Sequence, residues 1–240
     1  MKKSILFAAI GAVTASLLTF SLTAADSGAK DEITKAAAKL ADSASYSWHT
    51  TVKVPEDSQF KPGPTDGKTE KDGFTLVKTS FNNNDSEMVV KGDKAALSNR
   101  DGGWDLASEL ENAEGPGRFR AMMARNFRAP AAQATEIVAG VKELKKDGDT
   151  YSGDLTEEGA KKLLSFRGRQ GGDGPTITNP KGTAKFWLKD GALVKYEFHV
   201  TGTVSFNGND FDSDRDTTVE IKDVGATKVE VPEAAKKKLS

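Results

Sequence analysis

The sequence of 240 residues contains no cysteine and only two histidines. Without thiols the chain can form neither disulfide bonds nor thiolate metal sites, and cysteine nucleophiles are excluded. A lipid anchor built on a cysteine is excluded for the same reason. The absence of stapling bonds means that the fold must depend on packing and on hydrogen bonds.

Only one long apolar run occurs, and it lies at the N-terminus. Lys2 and Lys3 precede the apolar stretch 5–18, and the small residues of 22–25 follow it. This order of a positive segment, an apolar segment and small residues is typical of a secretory signal peptide. We therefore predict a signal peptide over residues 1–25.

Cleavage after Ala24 or Ala25 would leave a mature region over 26–240, for which we predict a single domain. An uncleaved N-terminal anchor is the alternative, but the apolar run is shorter than the ~20 residues that a membrane-spanning helix needs. The predicted location is the periplasm or the extracellular space, and the mature region is not expected to span a membrane.

The sequence also has no large excess of positive or negative charge. The 34 Lys and Arg residues nearly balance the 35 Asp and Glu residues. Because two of the lysines belong to the predicted signal peptide, the mature region is slightly acidic. A nucleic-acid partner is not expected, since phosphate binding requires a clustered basic surface.

The first part of the mature region predicts one helix followed by strands. Helical spacing of apolar residues marks 31–44, and strict alternation marks a strand over 46–54. Proline and glycine predict a loop over 55–72. A strand over 74–81 and a hairpin over 87–99 complete this part.

The middle of the chain predicts helices. Short helices are expected over 106–112 and 119–127, and the strongest apolar stripe predicts a helix over 130–145. After a short strand at 151–155, a helix over 156–165 begins at Thr156 as its N-cap.

The last part predicts mostly strands. Residues 167–182 are rich in glycine and predict a loop, and a hairpin is expected around Asp190 and Gly191. A polar tip over 207–216, a strand over 217–221 and a closing strand at 229–231 follow, with a polar tail after them. The order predicts an α+β fold in which helices cover the apolar face of an antiparallel sheet.

Several segments resemble the LolA-like and LppX-like periplasmic carriers of lipoproteins and lipids. They are the strand that carries Tyr46 and Trp48, the segment 144–156, the hairpin 186–196 and the C-terminal segment 219–232. The resemblance implies a curved antiparallel half-barrel whose concave face is covered by helices. It also implies a hydrophobic ligand in the groove between sheet and helices.

An aromatic stripe runs along one face of the predicted sheet, and a helix with an apolar stripe is available to cover it. Both stripes form either ordinary core or a groove for a lipid or other hydrophobic ligand. The candidate ligand-binding residues are Tyr46, Trp48, Tyr196, Phe198, Phe206, Ile137 and Val141. The hypothesis is a non-enzymatic binding protein without cofactor or metal. The alternative is an envelope module with a filled core that binds a protein partner or acts as a sensor.

Other polar groups give weaker signals. His49 and His199 fall on the polar sides of strands and would form a metal pair only on neighbouring strands. Four alternating aspartates suggest calcium but lack the spacing of an EF-hand, so a solvated turn is favoured. The arginines of 118–128 suggest either an anionic membrane contact or a solvated helix face. The four aspartates are Asp210, Asp212, Asp214 and Asp216.

Overall fold

The computed structural model describes residues 22–58, 61–81, 84–165, 175–206 and 209–240. Most of the predicted signal peptide and much of the predicted loop 167–182 lie outside these residues. Among the described helices, none combines the length and the apolar character needed to cross a membrane.

Five helices and eleven strands occur in the described part of the chain. In chain order they are α1 (Leu22–Ala41), β1 (Ser45–Lys53), β2 (Pro62–Glu70), β3 (Thr75–Phe81), β4 (Asn84–Lys91), β5 (Lys94–Ser98), β6 (Trp104–Leu106), α2 (Pro116–Asn126), α3 (Pro130–Ala139), β7 (Lys145–Asp147), β8 (Thr150–Asp154), α4 (Glu157–Leu164), β9 (Thr176–Lys189), β10 (Ala192–Phe206), β11 (Asn209–Lys222) and α5 (Glu233–Lys238).

All strands belong to one open, curved antiparallel sheet in the order β6-β5-β4-β3-β2-β1-β11-β10-β9-β8-β7. Each half of the chain forms a meander of sequential hairpins, and the pairing of β1 with β11 joins the halves. The two edge strands, β6 and β7, have three residues each, which limits the backbone that is open to pairing with another chain. The predicted α+β architecture is confirmed.

The main hydrophobic core lies between the sheet and helices α1, α3 and α4. We call this side of the sheet the helix face and the opposite side the outer face. The register sets large side chains in a row across the helix face, because partners on neighbouring strands point the same way. The row runs through Tyr151, Phe186, Tyr196 and Val219.

A second, smaller core lies on the outer face of the first meander. The extended segment 229–231 and α5 cover it, with Val231, Ala235 and Leu239 buried. The predictions of a closing strand at 229–231 and of a polar tail were therefore wrong. Residues 229–231 alternate because the side chains of Val229 and Val231 pack on the outer face of the sheet, although the segment does not pair as a strand of that sheet.

Two predicted loops contain strands. β2 lies within the predicted loop 55–72, and it has no large apolar residue to mark it. Its place in the sheet comes from backbone pairing with β1 and β3 and from hydroxyl contacts such as Thr69 to Thr75 at 2.7 Å. Similarly, β9 begins at Thr176, within the predicted loop 167–182.

The predicted polar tip at 207–216 was wrong for residues 209–216, which form the first half of β11. Asp210 and Asp212 accept hydrogen bonds from hydroxyls on β10, Ser205 at 2.5 Å and Thr203 at 2.9 Å. The alternating aspartates are thus the solvent-facing side of a strand, and their period of two is the strand signal.

The helices differ in length from the predictions. α1 begins nine residues before the predicted start at Asp31. Residues 107–112 form turns rather than the helix predicted over 106–112. α3 ends at Ala139 instead of residue 145, because the backbone amide of Lys142 turns to bond the carbonyl of Asp154 at 2.8 Å. The predicted N-cap is confirmed, since Thr156 Oγ1 accepts a hydrogen bond from the Gly159 amide at 2.9 Å.

A cluster of three polar side chains attaches α1 to the β7–β8 hairpin. Lys146 Nζ lies 2.7 Å from Glu32 Oε2, and the Tyr151 hydroxyl donates to the same carboxylate. The hydrogen bonds from Lys146 and Tyr151 hold the pKa of Glu32 below its usual value. The same carboxylate raises the pKa of Lys146.

Gly67 is expected to tolerate no side chain, because the ring of Trp48 lies directly on it. A Cβ at this position would lie 2.0 Å from Cζ2 of Trp48. Gly67→Ala should lower the free energy of unfolding by about 1–3 kcal/mol, since the ring must move within a packed core. Gly28→Ala is the matched control, because nothing lies within 4 Å there and the residue is helical. Urea unfolding measures both variants, and equal stability losses would contradict this packing.

Glu32→Gln should make the free energy of unfolding depend less on pH in the acidic range. The pKa of Glu32 in the folded protein is below its usual value of 4.5. The ionised carboxylate therefore stabilises the folded state fully above pH 4.5, and this stabilisation is lost as the pH falls through the folded pKa. Urea midpoints measured from neutral pH down to about pH 3 test this expectation.

Hydrogen exchange locates the effect of Glu32→Gln. We expect reduced protection of the amides of α1. The control is Glu158→Gln, which removes an ion pair to Lys162 at 2.8 Å within α4. This variant should leave α1 protection unchanged, and unchanged protection in the Glu32 variant would refute the attachment.

Candidate ligand-binding site

The floor of the candidate site is the helix face of strands β1 and β10. Tyr46 and Trp48 on β1 are 3% and 4% exposed, and Tyr196 and Phe198 on β10 are 0% and 5% exposed. β11 lies between the two strands and contributes Val219, which is opposite Tyr196 in the register. The structure thus brings together four of the five aromatic residues that the sequence singled out. The fifth, Phe206, ends β10, where the structure describes only the backbone.

The roof of the site is formed by α1 and α3. Ile137 lies on α3 and Val141 follows it, and both are buried in the same core as the floor. Val141 also pairs with Leu155 in an isolated bridge next to β8. The buried roof residues are of two kinds, larger ones that include Ile33 and Leu40, and alanines. The buried alanines of α1 and α3 are Ala29, Ala36, Ala37, Ala131 and Ala134.

The rings of the floor contact one another and two further phenylalanines. Trp48 is tilted against Tyr46 at 5.8 Å between ring centroids and is stacked on Phe127 at 6.3 Å. Tyr196 lies 6.3 Å from Phe186. The sequence analysis did not assign Phe127 or Phe186 to the site. Phe186 alternates correctly within its strand, which was the available signal, whereas nothing local indicates that Phe127 reaches Trp48.

Two tyrosine hydroxyls of the floor reach the first half of α3. The Tyr196 hydroxyl donates to Gln133 Oε1 at 2.6 Å. Burial raises the pKa of Tyr196, and the neighbouring Tyr46 adds to the shift, so the hydroxyl is protonated and available as a donor. Burial also raises the pKa of Tyr46, partly offset by the backbone amide of Ala131. The bond between Tyr196 and Gln133 is a polar attachment between the buried floor and its roof.

A second attachment holds α1 close to the end of α3. Lys30 Nζ donates to the carbonyls of Val141 and Lys142, each at 2.8 Å. A lysine that caps carbonyls after a helix satisfies acceptors that the helix leaves open. Together with Glu32, this contact places polar bonds at the rim of the roof while its centre is apolar.

The two histidines do not form a pair. His49 on β1 and His199 on β10 are separated by β11, so their strands are not neighbours. His49 lies 2.8 Å from Asp66, and His199 lies 2.8 Å from Asp214. Within the described ranges no group of three metal-binding side chains occurs.

An open cavity of about 360 Å³ lies next to His49. Its lining combines charged residues such as Asp66, Lys68 and Lys78 with apolar surface from Trp48 and Leu76. The hydroxyl of Ser47, also in this lining, donates to Asp223 at 2.9 Å rather than to a histidine. The arrangement of serine, histidine and aspartate here is therefore not that of a catalytic triad.

Comparison with known proteins finds similar solved structures at low sequence identity. Neither the family models nor the curated proteins include a match to the sequence. The solved structure of the lipoprotein LppX from Mycobacterium tuberculosis is 14% identical, with a TM-score of 0.48, and covers 86% of this chain and 100% of LppX. LprF from Mycobacterium bovis is 14% identical, with a TM-score of 0.46, and covers 87% of this chain and 98% of LprF.

A LolA superfamily protein from Nitrosomonas europaea is 8% identical, with a TM-score of 0.35, and covers 85% of this chain and 94% of that protein. The similar solved structures thus include LppX-like and LolA-like proteins, the group that the sequence motifs resemble.

Proposed function

We propose that this protein is an exported, non-enzymatic binding protein that holds an acyl chain or similar apolar ligand between the helix face of the sheet and the roof of α1 and α3. The observation that carries the proposal is the asymmetry of this interface. Its floor consists of large aromatic side chains, whereas half of the buried residues of α1 and α3 are alanines.

This asymmetry makes the roof easier to lift than an ordinary core helix. Burial of apolar surface contributes about 0.8 kcal/mol per methylene, so an alanine loses little when its helix moves away. The aromatic floor loses more, because each buried large side chain contributes about 1.5–3 kcal/mol. An acyl chain that enters beneath the roof restores the burial of the floor.

α3 is the element that we expect to move. It lies between the extended residue Ala129 and Gly140, and the hydrogen bond from Tyr196 to Gln133 attaches it to the floor. A single hydrogen bond has a net contribution of about 0.5–1.5 kcal/mol. Breaking it costs little compared with unfolding, so it can act as a latch that holds the roof closed.

Export is part of the proposal and follows from the N-terminal sequence. Lys2 and Lys3, the apolar run and the small residues up to Ala25 are the features of a cleaved signal. N-terminal sequencing of protein isolated from the cell envelope would show a start at residue 25 or 26 if the signal is cleaved as proposed. A start at Met1 would contradict cleavage.

A second candidate function is a protein-binding envelope module with a filled core. The complete burial of the candidate residues favours it, because Tyr196, Ile137 and Val141 are at most 2% exposed and already pack within one core. Such a module would bind through its surface and would take up no ligand.

Energy transfer from tryptophan to a dansyl-labelled fatty acid separates the two candidates. The three tryptophans occupy different places: Trp48 on the floor, Trp104 in the outer-face core and Trp187 under Lys185 and Lys195 at 4.7 and 4.6 Å. If the ligand lies on the floor, Trp48→Phe should remove most of the energy transfer. Trp187→Phe, the matched control, should retain it.

The binding proposal requires saturable uptake of the fatty acid by the wild-type protein. Absence of uptake would favour the filled core instead. Uptake with equal transfer in the Trp48→Phe and Trp187→Phe variants would place the ligand elsewhere on the protein.

Tyr196→Phe tests the latch. Loss of the bond to Gln133 should raise the rates of both uptake and release of the fatty acid by about two- to tenfold, because one net hydrogen bond is lost from the closed state. The equilibrium affinity should change less than either rate. Stopped-flow fluorescence measures both rates.

Tyr151→Phe is the control for the latch, since its hydroxyl contacts Glu32 on α1 rather than α3. If both tyrosine variants change the rates equally, the effect is a general loss of stability, and α3 is not the moving element.

A further inference from the structure

β11 directs one basic side chain, that of Arg215, toward the helix face. Arg215 lies two residues before Thr217, which is opposite Phe198 of the floor, and its own partner in the register is Val200. Phe198 and Val200 are 5% and 0% exposed. Alternate residues of a strand lie on the same side of a sheet, and register partners point the same way. Arg215 therefore lies on the same side as the floor, next to its end.

The last turn of α4 covers this part of the sheet. Nη2 of Arg215 donates a hydrogen bond to the carbonyl of Leu163. Two residues after Val200 on β10, Gly202 leaves room for Leu164, since a Cβ at Gly202 would lie 2.8 Å from Cδ1 of that leucine. Arg215 is thus partly buried between the sheet and α4.

The charge of Arg215 lacks a partner among the described residues. Within that part of the chain, no carboxylate lies within ion-pair distance of its guanidinium, and Nε is buried without a hydrogen-bond acceptor. Its neighbours Asp214 and Asp216 lie on the opposite side of the strand. Burial lowers the pKa of Arg215, but a guanidinium remains protonated in proteins. A positive charge with an unsatisfied donor therefore lies beside the floor.

An unpaired charge in this position is unfavourable for the folded protein. Removing an ion from water destabilises the folded state unless an opposite charge compensates for it. Groups in such environments are concentrated at functional sites. The bond to Leu163 uses one of the five N–H donors of the guanidinium. A carboxylate or phosphate would supply both the missing charge and an acceptor for Nε.

We propose that Arg215 binds the anionic head group of a ligand whose acyl chain lies on the floor. The chain would extend from Arg215 past Phe198 toward Tyr196, which follow one another along the β10–β11 pair. This inference rests on the proposed function, because the head group reaches Arg215 only on a chain held between floor and roof. It narrows the ligand to amphiphiles that carry a carboxylate or a phosphate at one end.

Competition between ligands of equal chain length tests this assignment. Dodecanoate, dodecyl phosphate and uncharged dodecanol each compete with the dansyl-labelled fatty acid for the mature wild-type protein. We expect the two anionic ligands to bind about tenfold more tightly than dodecanol, because hydrogen bonds between charged groups are stronger than neutral ones. Arg215→Gln should remove most of this preference and leave the affinity for dodecanol nearly unchanged. Arg215→Lys should retain part of the preference, since the charge remains.

Arg120→Gln is the matched control. The guanidinium of Arg120 also donates to a backbone carbonyl, that of Ser98, but it lies 3.5 Å from Asp105 and belongs to α2. This variant should keep the full preference for anionic ligands. Thermal unfolding of the delipidated proteins checks the fold. Because Arg215→Gln removes an unpaired charge from a buried position, its Tm should be no lower than that of the wild type.

The outcomes separate this inference from the proposed function. Equal affinity of the wild type for all three ligands would overturn the head-group assignment and leave the proposed function intact. Equal losses for charged and uncharged ligands in Arg215→Gln would also overturn it, because Arg215 would then only hold α4 on the sheet. Uptake of none of the three ligands by the wild type would contradict the proposed function, and this inference with it.

Discussion

The pairing of β1 with β11 is the constraint on which the rest of the structure depends. It extends from Ser47 opposite Lys222 to Lys53 opposite Asp216 and joins two meanders that otherwise share no strand contact. Closing a loop of this length costs entropy that local hairpins do not. The pairing results in a single sheet, on which aromatic residues from the two ends of the chain form one continuous floor.

The floor in turn determines how the helices can lie. Tyr46 and Trp48 come from the first meander and Tyr196 from the second, and their rings belong to one core with the covering helices. α1 and α3 use alanine at half of their buried positions and larger apolar residues such as Ile33 at the others. Gly67 belongs to the same arrangement, because the Trp48 ring occupies the place of its missing side chain. The apolar centre is held at its rim by a few polar bonds, those of Lys30 and Glu32.

The two meanders differ in the character of their outer faces. In the first meander it carries a second core under Val231, Ala235 and Leu239, so that the C-terminal segment covers this part of the sheet. In the second meander it is polar, with aspartates bonded to hydroxyls across the β10–β11 hairpin. α2 belongs to neither core in full, since it buries only alanines and keeps Phe119 and Met123 outside.

Local sequence determined the features that depend on period and on turn chemistry. The alternation in 46–54, the N-cap at Thr156 and the hairpin around Asp190 and Gly191 were all predicted, and both turn residues have the positive φ that this hairpin requires. Their residues interact within a few positions of each other, so their pattern is visible in the chain. The same alternation predicted that Tyr46, Trp48, Tyr196 and Phe198 lie on one apolar side of the sheet, and all four are buried there.

Only the tertiary structure decided the features that depend on distant partners. β2 has no apolar pattern and is a strand because β1 and β3 pair with it. A β-bulge between Leu193 and Lys195 shifts the register by one residue, so that Tyr196 faces Phe186 on the helix face. The contacts of Phe127 with Trp48 and of Gln133 with Tyr196 likewise join residues that are far apart in the sequence. Periodicity shows which side of a helix or strand is apolar. Which other element packs against that side is decided by the tertiary fold of the whole chain.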